Sequence, residues 1–344
     1  MKWRIFLALV SFVIPLSRLS AQTCNPTTLM STPGQWKPGP GGSTSNTAAA
    51  DLAREKATIG LIHKMLQENY KPLGADISYS GVYYGNYGPT SKYPNSFAYS
   101  VFVLPYFCEN GGLQKARETN TTLYVNANEM GVNIYEPDLR EEVSIDGFFS
   151  IDGFPELKDG MYQWTRNVNL GMGMEGPQTT FLITYDGQLP YLQVSRKEFL
   201  EKKKMLVQKF KRENGARISQ DFPIEKDKQK HEDAMKRGNA DYNATLEKIA
   251  KELEKPAAEL NQPAIVAMDP ANYLLPVFTT PDHRYARTLI KPNPAYFNKK
   301  LPRSSPQFFS VVIKGNDENL VLGKAITDLP KAIDFAKLKS MLGK

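Results

Sequence analysis

Apolar positions change their spacing five times along the chain. Ile5–Ile14 reads IFLALVSFVI, apolar except for Ser11, and stands behind Lys2 and Arg4. After a polar gap, Leu52, Ile59, Ile62, Leu66 and Tyr70 recur within an arc of about 80° at 100° per residue, which predicts an amphipathic helix over 51–70. His63 falls at the edge of its apolar face, where a histidine is more often a satisfied or surface residue than a ligand. From 77 to 194 the signals become those of strands and tight turns. Phe97–Phe107 (FAYSVFVLPYF) has the apolar and aromatic density of a strand covered on both faces. Asp-Gly at Asp159 and at Asp186 predicts hairpins, because both central residues of a type I′ turn take positive φ. The second hairpin would join TTFLITY to LPYLQV. SIDGF occurs twice, from Ser144 and from Ser150, and Asp146-Gly147 and Asp152-Gly153 read as turns around a very short strand. The region is an antiparallel meander on this reading.

Helical spacing returns at Phe199, Leu200, Leu206, Val207 and Phe210, interrupted by Lys203. Ser195 and Glu198 are placed as a capping box at its start, and Gly215 as its end. A second stripe, Tyr242, Leu246, Ile249, Ala250 and Leu253, would pack antiparallel on the first. From Pro263 strands resume with RYARTLI and Phe308–Ile313 (FFSVVI), and a closing helix presents Ala332, Phe335, Leu338 and Leu342 on one face. The expected fold is therefore α+β: an antiparallel meander packed with an N-terminal helix, an inserted charged helical hairpin, and a C-terminal strand-helix block that completes the first sheet or builds a second. The expected segments are a signal peptide (1–21), a flexible Pro/Gly/Ser linker (22–50) whose Trp36 docks on the body, an α+β domain (51–194), a charged helical arm (195–255) and C-terminal strands and helix (256–344).

The apolar leader is ten residues long, about half of the roughly 20 that span a bilayer, and small Ala21 suits the position before signal-peptidase cleavage. We expect cleavage near Ala21 and a secreted or periplasmic chain with no transmembrane segment. The formal charge of +7 then loses Lys2, Arg4 and Arg18 and falls to +4, which gives no reason to invoke nucleic acid. Residues 195–255 hold 17 bases and 12 acids. That excess reads as a solvated helical arm with pairs such as Glu198 with Lys202, the alternative being contact with an anionic surface. Cys24 and Cys108, the only cysteines, suit one disulfide outside the cytoplasm.

The sequence holds no G-x-S-x-G elbow, H-E-x-x-H zinc motif, P-loop or dinucleotide fingerprint, so no catalytic residue, metal or cofactor is assigned. None of His63, His231 and His283 has a second histidine at ligand spacing. An EF-hand counted from Asp146 fails, with Phe148 third and Ile151 sixth; an irregular metal site would have to draw on Glu136, Asp138, Glu141 or Glu142. Among the remaining candidates, Tyr79, Tyr83, Tyr84, Tyr87, Tyr93 and Tyr99 sit among glycines, where exposed rings with hydroxyls can meet sugar or peptide. Tyr83, Tyr84 and Tyr87, with His283 beside Asp282, are the candidate ligand residues. The competing reading has these tyrosines covering a sheet edge.

The Ala21-Gln22 junction, the Trp-containing Pro/Gly tail and ITYDGQLPYLQVSRKEFLEKKK (Ile183–Lys204) resemble uncharacterised exported proteins of Bacteroidota-type bacteria. The resemblance covers the N-terminal tail and the end of the meander, and implies no activity or site residue. The functional expectation is an exported, non-enzymatic binding or interaction protein for a glycan, a peptide or an envelope protein. The alternative is an extracytoplasmic hydrolase of glycan or peptide, which would need two carboxylates, or His283 with a nucleophile, converging in one pocket.

Overall fold

The computed structural model describes residues 24–42, 44, 47–85, 93–129, 148–151, 155–171, 173–186, 188–267, 277–283 and 286–344, with backbone alone at 84 and 85. The leader 1–21, Tyr87, the acids Glu136, Asp138, Glu141 and Glu142, and the turns at Asp146-Gly147 and Asp152-Gly153 lie outside the described residues. In chain order the first half contains α1 (Pro26–Ser31), β1 (Trp36–Pro38), α2 (Ala49–Asn69), β2 (Ala75–Gly85), β3 (Ser96–Glu109), β4 (Gly112–Lys115), β5 (Thr122–Ala127), β6 (Phe149–Ile151), β7 (Glu156–Lys158), β8 (Met161–Gly171) and β9 (Met174–Ile183). The second half contains β10 (Tyr191–Gln193), α3 (Arg196–Asp221), α4 (Lys228–Gly238), α5 (Ala240–Leu253), α6 (Ala257–Leu260), β11 (Ile265–Ala267), β12 (Val277–Phe278), β13 (Ala286–Pro292), β14 (Phe309–Lys314), α7 (Leu320–Asp328), a 3₁₀ turn (Pro330–Ala332) and α8 (Phe335–Ser340).

The α+β class holds, and the strands fall into two sheets. The larger runs β1-β2-β3-β5-β14-β9-β8-β7, with β4 folded back on the end of β3. The meander is therefore split. β14 lies antiparallel between β5 and β9, pairing Phe309 with both Ala127 and Ile183, so the C-terminal block completes the first sheet and also builds the second. That second sheet centres on β13, which pairs β10 at 290–292, β11 at 286–288 and β6 at 288–290. Alternation along each strand decides what it faces. Ile77, Tyr99, Val101, Leu123, Val125, Phe309 and Val311 turn to one side of the large sheet, where α2, α7 and α8 cover them with Ile62, Leu66, Leu322 and Leu338. Each such fully buried side chain contributes about 1.5–3 kcal/mol. On the opposite side Trp164 and Leu182 meet Ile151, Tyr191 and Ile290 of the small sheet. Leu289, one residue before Ile290, turns away to join Phe199, Leu200, Val207 and Ile249 of α3 and α5.

Several local expectations are corrected. The Asp159-Gly160 hairpin forms between β7 and β8, with φ of 52° and 76°. The Asp186 turn makes no hairpin: β9 is already paired on both edges, by β8 and β14, so the chain crosses over and Tyr191–Gln193 pairs β13 instead. Gly215 does not end its helix. It is buried against Met235 of α4, and α3 runs on to Asp221, where Pro223 excludes helical geometry at Phe222. Half of the capping box exists: Ser195 Oγ accepts from Glu198 N at 3.1 Å, whereas the Glu198 carboxylate reaches Lys291 Nζ on β13 rather than Lys202. The helical hairpin has a third member, α4, between the two stripes. The closing helix is broken into α7, the 3₁₀ turn that Pro330 starts, and α8, which Asp334 caps by accepting from Lys337 N.

The largest departure is at the N-terminus. The stretch expected as a linker holds α1 and β1, and β1 adds to β2 in parallel, Trp36 beside Ile77. Its glycines permit the approach. A Cβ on Gly34 would stand 1.7 Å from Ala75 O, and one on Gly42 1.5 Å from Gly81 O. A disulfide ties Cys24 to Cys108 of β3. Asp76 of β2 binds the rest together. It accepts from Gln35 N at 3.0 Å, from Lys37 Nζ of β1 at 2.8 Å, from Lys115 Nζ of β4 at 2.7 Å, and from the Tyr106 hydroxyl of β3. Burial alone would push this carboxyl up, but the bonds from Lys115, Lys37, Tyr106 and Gln35 outweigh it and hold Asp76 well below the usual carboxylate range. The Tyr106 phenol is pushed up to about 12, by burial and then by the charged Asp76.

Candidate functional site

The tail, β2 and α2 build an aromatic ledge where the large sheet begins. Trp36, Ile77 and Tyr79 stand on the side of the sheet that faces α2, because β1 and β2 are paired in register at Trp36–Ile77 and Pro38–Tyr79. From α2, His63 stacks on the Tyr79 ring at 4.1 Å between centroids and 23° between planes. The Trp36 ring meets His63 edge-on at 5.8 Å and Tyr79 at 6.1 Å. Its Nε1–H donates to Tyr70 O at 3.2 Å, which fixes the indole. Beneath lies Tyr99 of β3, fully buried, its hydroxyl 2.7 Å from His63 Nδ1. Trp36, His63 and Tyr79 are half-buried.

Burial determines the protonation here. It lowers the His63 pKa from the ordinary imidazole value and drives the Tyr99 phenol far above its own. Both groups are neutral at physiological pH. A buried phenol needs an acceptor, and Nδ1 supplies it, so the Tyr99 O–H donates to Nδ1 and the His63 proton resides on Nε2. The ledge thus offers stacked ring faces with an N–H and the Tyr79 hydroxyl as polar handles. This suits recognition of a flat apolar face that also carries hydrogen-bonding groups.

The expected ligand residues separate. Tyr83 is buried in the main core, with its hydroxyl over Gly81, where an added Cβ would come within 2.6 Å, and Lys56 Nζ stands over its ring at 5.9 Å from the centroid. The Tyr84 side chain and Tyr87 are outside the described residues. His283 is exposed in a turn that precedes β13 of the small sheet, whereas Tyr83 belongs to the large one. Tyr93 packs edge-on against Phe297 at 5.1 Å and lines a cleft of 260 Å³ with Pro94, Asn298, Arg303 and Gln307. A second cleft, of 290 Å³, holds one carboxylate, Asp328, bridged to Lys324 and Lys331. Neither of these two clefts gathers the carboxylate pair that hydrolysis of a glycan asks for. Among the described residues no helix is long and apolar enough to cross a membrane.

Trp36, His63 and Tyr79 were each visible in the sequence, but their union was not. It depends on the parallel β1–β2 pairing, which a Pro/Gly-rich stretch does not announce. No protein-family model, curated protein or solved structure matches this chain.

Proposed function

We propose that this is an exported, non-enzymatic binding protein whose Trp36–His63–Tyr79 ledge takes the flat face of a glycan unit. The half-exposed stack of His63 on Tyr79 beside an immobilised indole carries this reading. Stacked rings preorganised by the fold lose little freedom on binding, and the neutral His63 Nε2–H and Tyr79 hydroxyl orient a sugar by its hydroxyl groups. Export rests on the short leader, on the expected cleavage near Ala21 and on the likeness to exported Bacteroidota-type proteins. The Cys24–Cys108 disulfide is compatible with such a compartment.

The test is a screen of the purified chain beginning at Gln22 against glycans and peptides, following binding and turnover together, with Trp36 fluorescence as the local reporter. A glycan that changes this fluorescence without being consumed is the expected result. Tyr79→Ala and the size-conserving His63→Gln should each weaken it about tenfold or more, the loss of roughly one stacked ring or one hydrogen bond. Turnover of any glycan or peptide would assign the chain to hydrolysis. Equal affinity in the wild type and in both variants, with unchanged thermal melts, would remove the ledge from the function.

A further inference from the structure

The cleft beside Tyr93, which shares no residue with the ledge, joins one-sided charge to apolar walls. From 283 to 316 the chain carries seven bases and no acid. Three of the seven, Lys299, Lys300 and Arg303, belong to the loop that leads into β14, and among the described residues none of the three pairs with a carboxylate. Lys299 and Arg303 line the cleft, which holds 260 Å³ and has no acid in its walls. Two acids of α2 stand next door and are engaged elsewhere. Asp51 accepts from Ser304 Oγ at 2.8 Å and lies 3.8 Å from Arg54. Glu55 accepts from Asn95 Nδ2 at 2.9 Å, and burial pushes its carboxyl up.

The loop that forms the cleft is fixed in advance. Asn298 N donates to Gln307 Oε1 at 2.7 Å and Gln307 Nε2 to Asn298 O at 3.2 Å, so the buried Gln307 side chain clamps the two ends together. Between them Lys300 N donates to Asn298 Oδ1 at 3.0 Å, and Ser305 N to Pro302 O at 3.0 Å. Tyr93 and Phe297 meet edge-on, with Pro94 and Pro302 completing the apolar lining. Arg303 is anchored by Nη2, which donates to Tyr93 O at 2.8 Å, while its Nε is buried without an acceptor. A guanidinium held in place beside apolar walls and short of a counter-charge selects an anion with an apolar body.

We propose that this cleft binds a carboxylate attached to a single aromatic side chain, the carboxylate facing Arg303 and Lys299 and the ring lying against Tyr93 and Phe297. The planar guanidinium matches a carboxylate in shape as well as in charge. The volume falls below the roughly 300–1,000 Å³ of pockets that enclose drug-sized ligands, so it suits one such residue and not a run of sugars. A free aryl acid and the last residue of a peptide present the same chemistry.

The experiment is calorimetric titration of the chain beginning at Gln22 with N-acetylphenylalanine, its neutral amide, and acetate. At low salt the acid should bind with a Kd of about 1 mM or tighter, and the amide and acetate about tenfold more weakly or worse. N-acetylated alanyl-alanyl-phenylalanine separates the sources: tighter binding than the single residue assigns the cleft to peptide C-termini, and weaker binding to free acids. Arg303→Gln should weaken the acid about tenfold or more, with Arg303→Lys recovering part of the loss. Lys299→Gln should weaken it less, by an amount that vanishes as salt rises. Lys299 is exposed and bonds nothing among the described residues, so this variant should melt with the wild type and keeps the test open if Arg303→Gln unfolds. Equal binding of acid and amide, no binding of the acid up to about 10 mM, or undiminished affinity in the folded variants would overturn the proposal.

Discussion

The N-terminal stretch 24–44 and the helical arm 196–253 invert what their sequences suggest. The first is rich in Pro, Gly, Ser and Thr, a composition that cannot bury enough apolar surface to offset its ordering entropy, yet it is fastened by a disulfide, a parallel strand, the Asp76 hub and the Trp36 indole. The second shows strong helical periodicity and forms its helices, but only its proximal half enters a core: Phe199, Leu200 and Val207 pack with Leu289 and Val266, while its far end carries exposed Phe222 and Ile224. Local pattern tells which element a segment can form. How firmly the element is held depends on partners elsewhere in the chain. The tail makes this plain, because its fasteners have their other ends in β2, β3, β4 and the segment 70–74 that follows α2.

Removing the fasteners in turn should release the tail and leave the arm untouched. The disulfide has the largest expected effect. It spans 84 residues, so Cys24→Ser with Cys108→Ser should lower the unfolding free energy by about 4–5 kcal/mol on the chain-entropy model, less any part that is enthalpic. Urea unfolding of the variant, and of the wild type under reduction, measures this. A loss well under 1 kcal/mol would mean that the strand and the hub hold the tail unaided.

Asp76 comes next. Asp76→Asn keeps a partner for Gln35 N but removes the charge that faces Lys37 and Lys115, and should cost about 2–3 kcal/mol at pH 7. That is less than the ~3–5 of a fully buried pair, because both ammonium groups are half-exposed and can rehydrate. The sign of the pH dependence follows from the depressed carboxyl. The unfolded chain titrates near ~3.9 and the folded one well below it. The contribution of Asp76 is therefore complete above about pH 5 and drains away as pH falls through the folded value. Urea midpoints of wild type and variant should converge between about pH 4 and pH 2; a gap that stays constant over this range would take the hub out of the account.

The same contrast explains how much could be read from the sequence. α2, β3, the Asp159-Gly160 hairpin and the Cys24–Cys108 pair were legible because each is specified by neighbouring residues or, for the cysteines, by the lack of another partner. The insertion of β14 between β5 and β9 was not, since FFSVVI reports a strand buried on both faces and nothing about which edges it joins. Asp186-Gly187 likewise announced a turn but not that β9 had no free edge. At the candidate site, Tyr83 was chosen for being an aromatic among glycines, whereas it is Tyr79, four residues earlier on the same face and only partly buried, that stands beside His63 and Trp36. A Pro/Gly composition hid β1 altogether, because its order comes from Gly34 and Gly42 admitting another backbone at close range.

The smallest effect tests the other side of the comparison. Gly215 lies inside α3, where glycine costs about 0.5–1 kcal/mol relative to alanine. An added Cβ would meet only Met235, its Cε at 3.3 Å and its Sδ at 3.8 Å, the flexible end of a long side chain, so Gly215→Ala should strengthen the helix by roughly that amount. If the distal arm opens independently of the cores, the gain will appear as slower amide hydrogen exchange between 208 and 238, with the global urea midpoint unchanged. If instead the midpoint rises by the whole increment, the arm unfolds together with the sheets and is held as tightly as the tail. Helical periodicity would then have reported tertiary fixation after all, and the contrast between the two regions would reduce to composition.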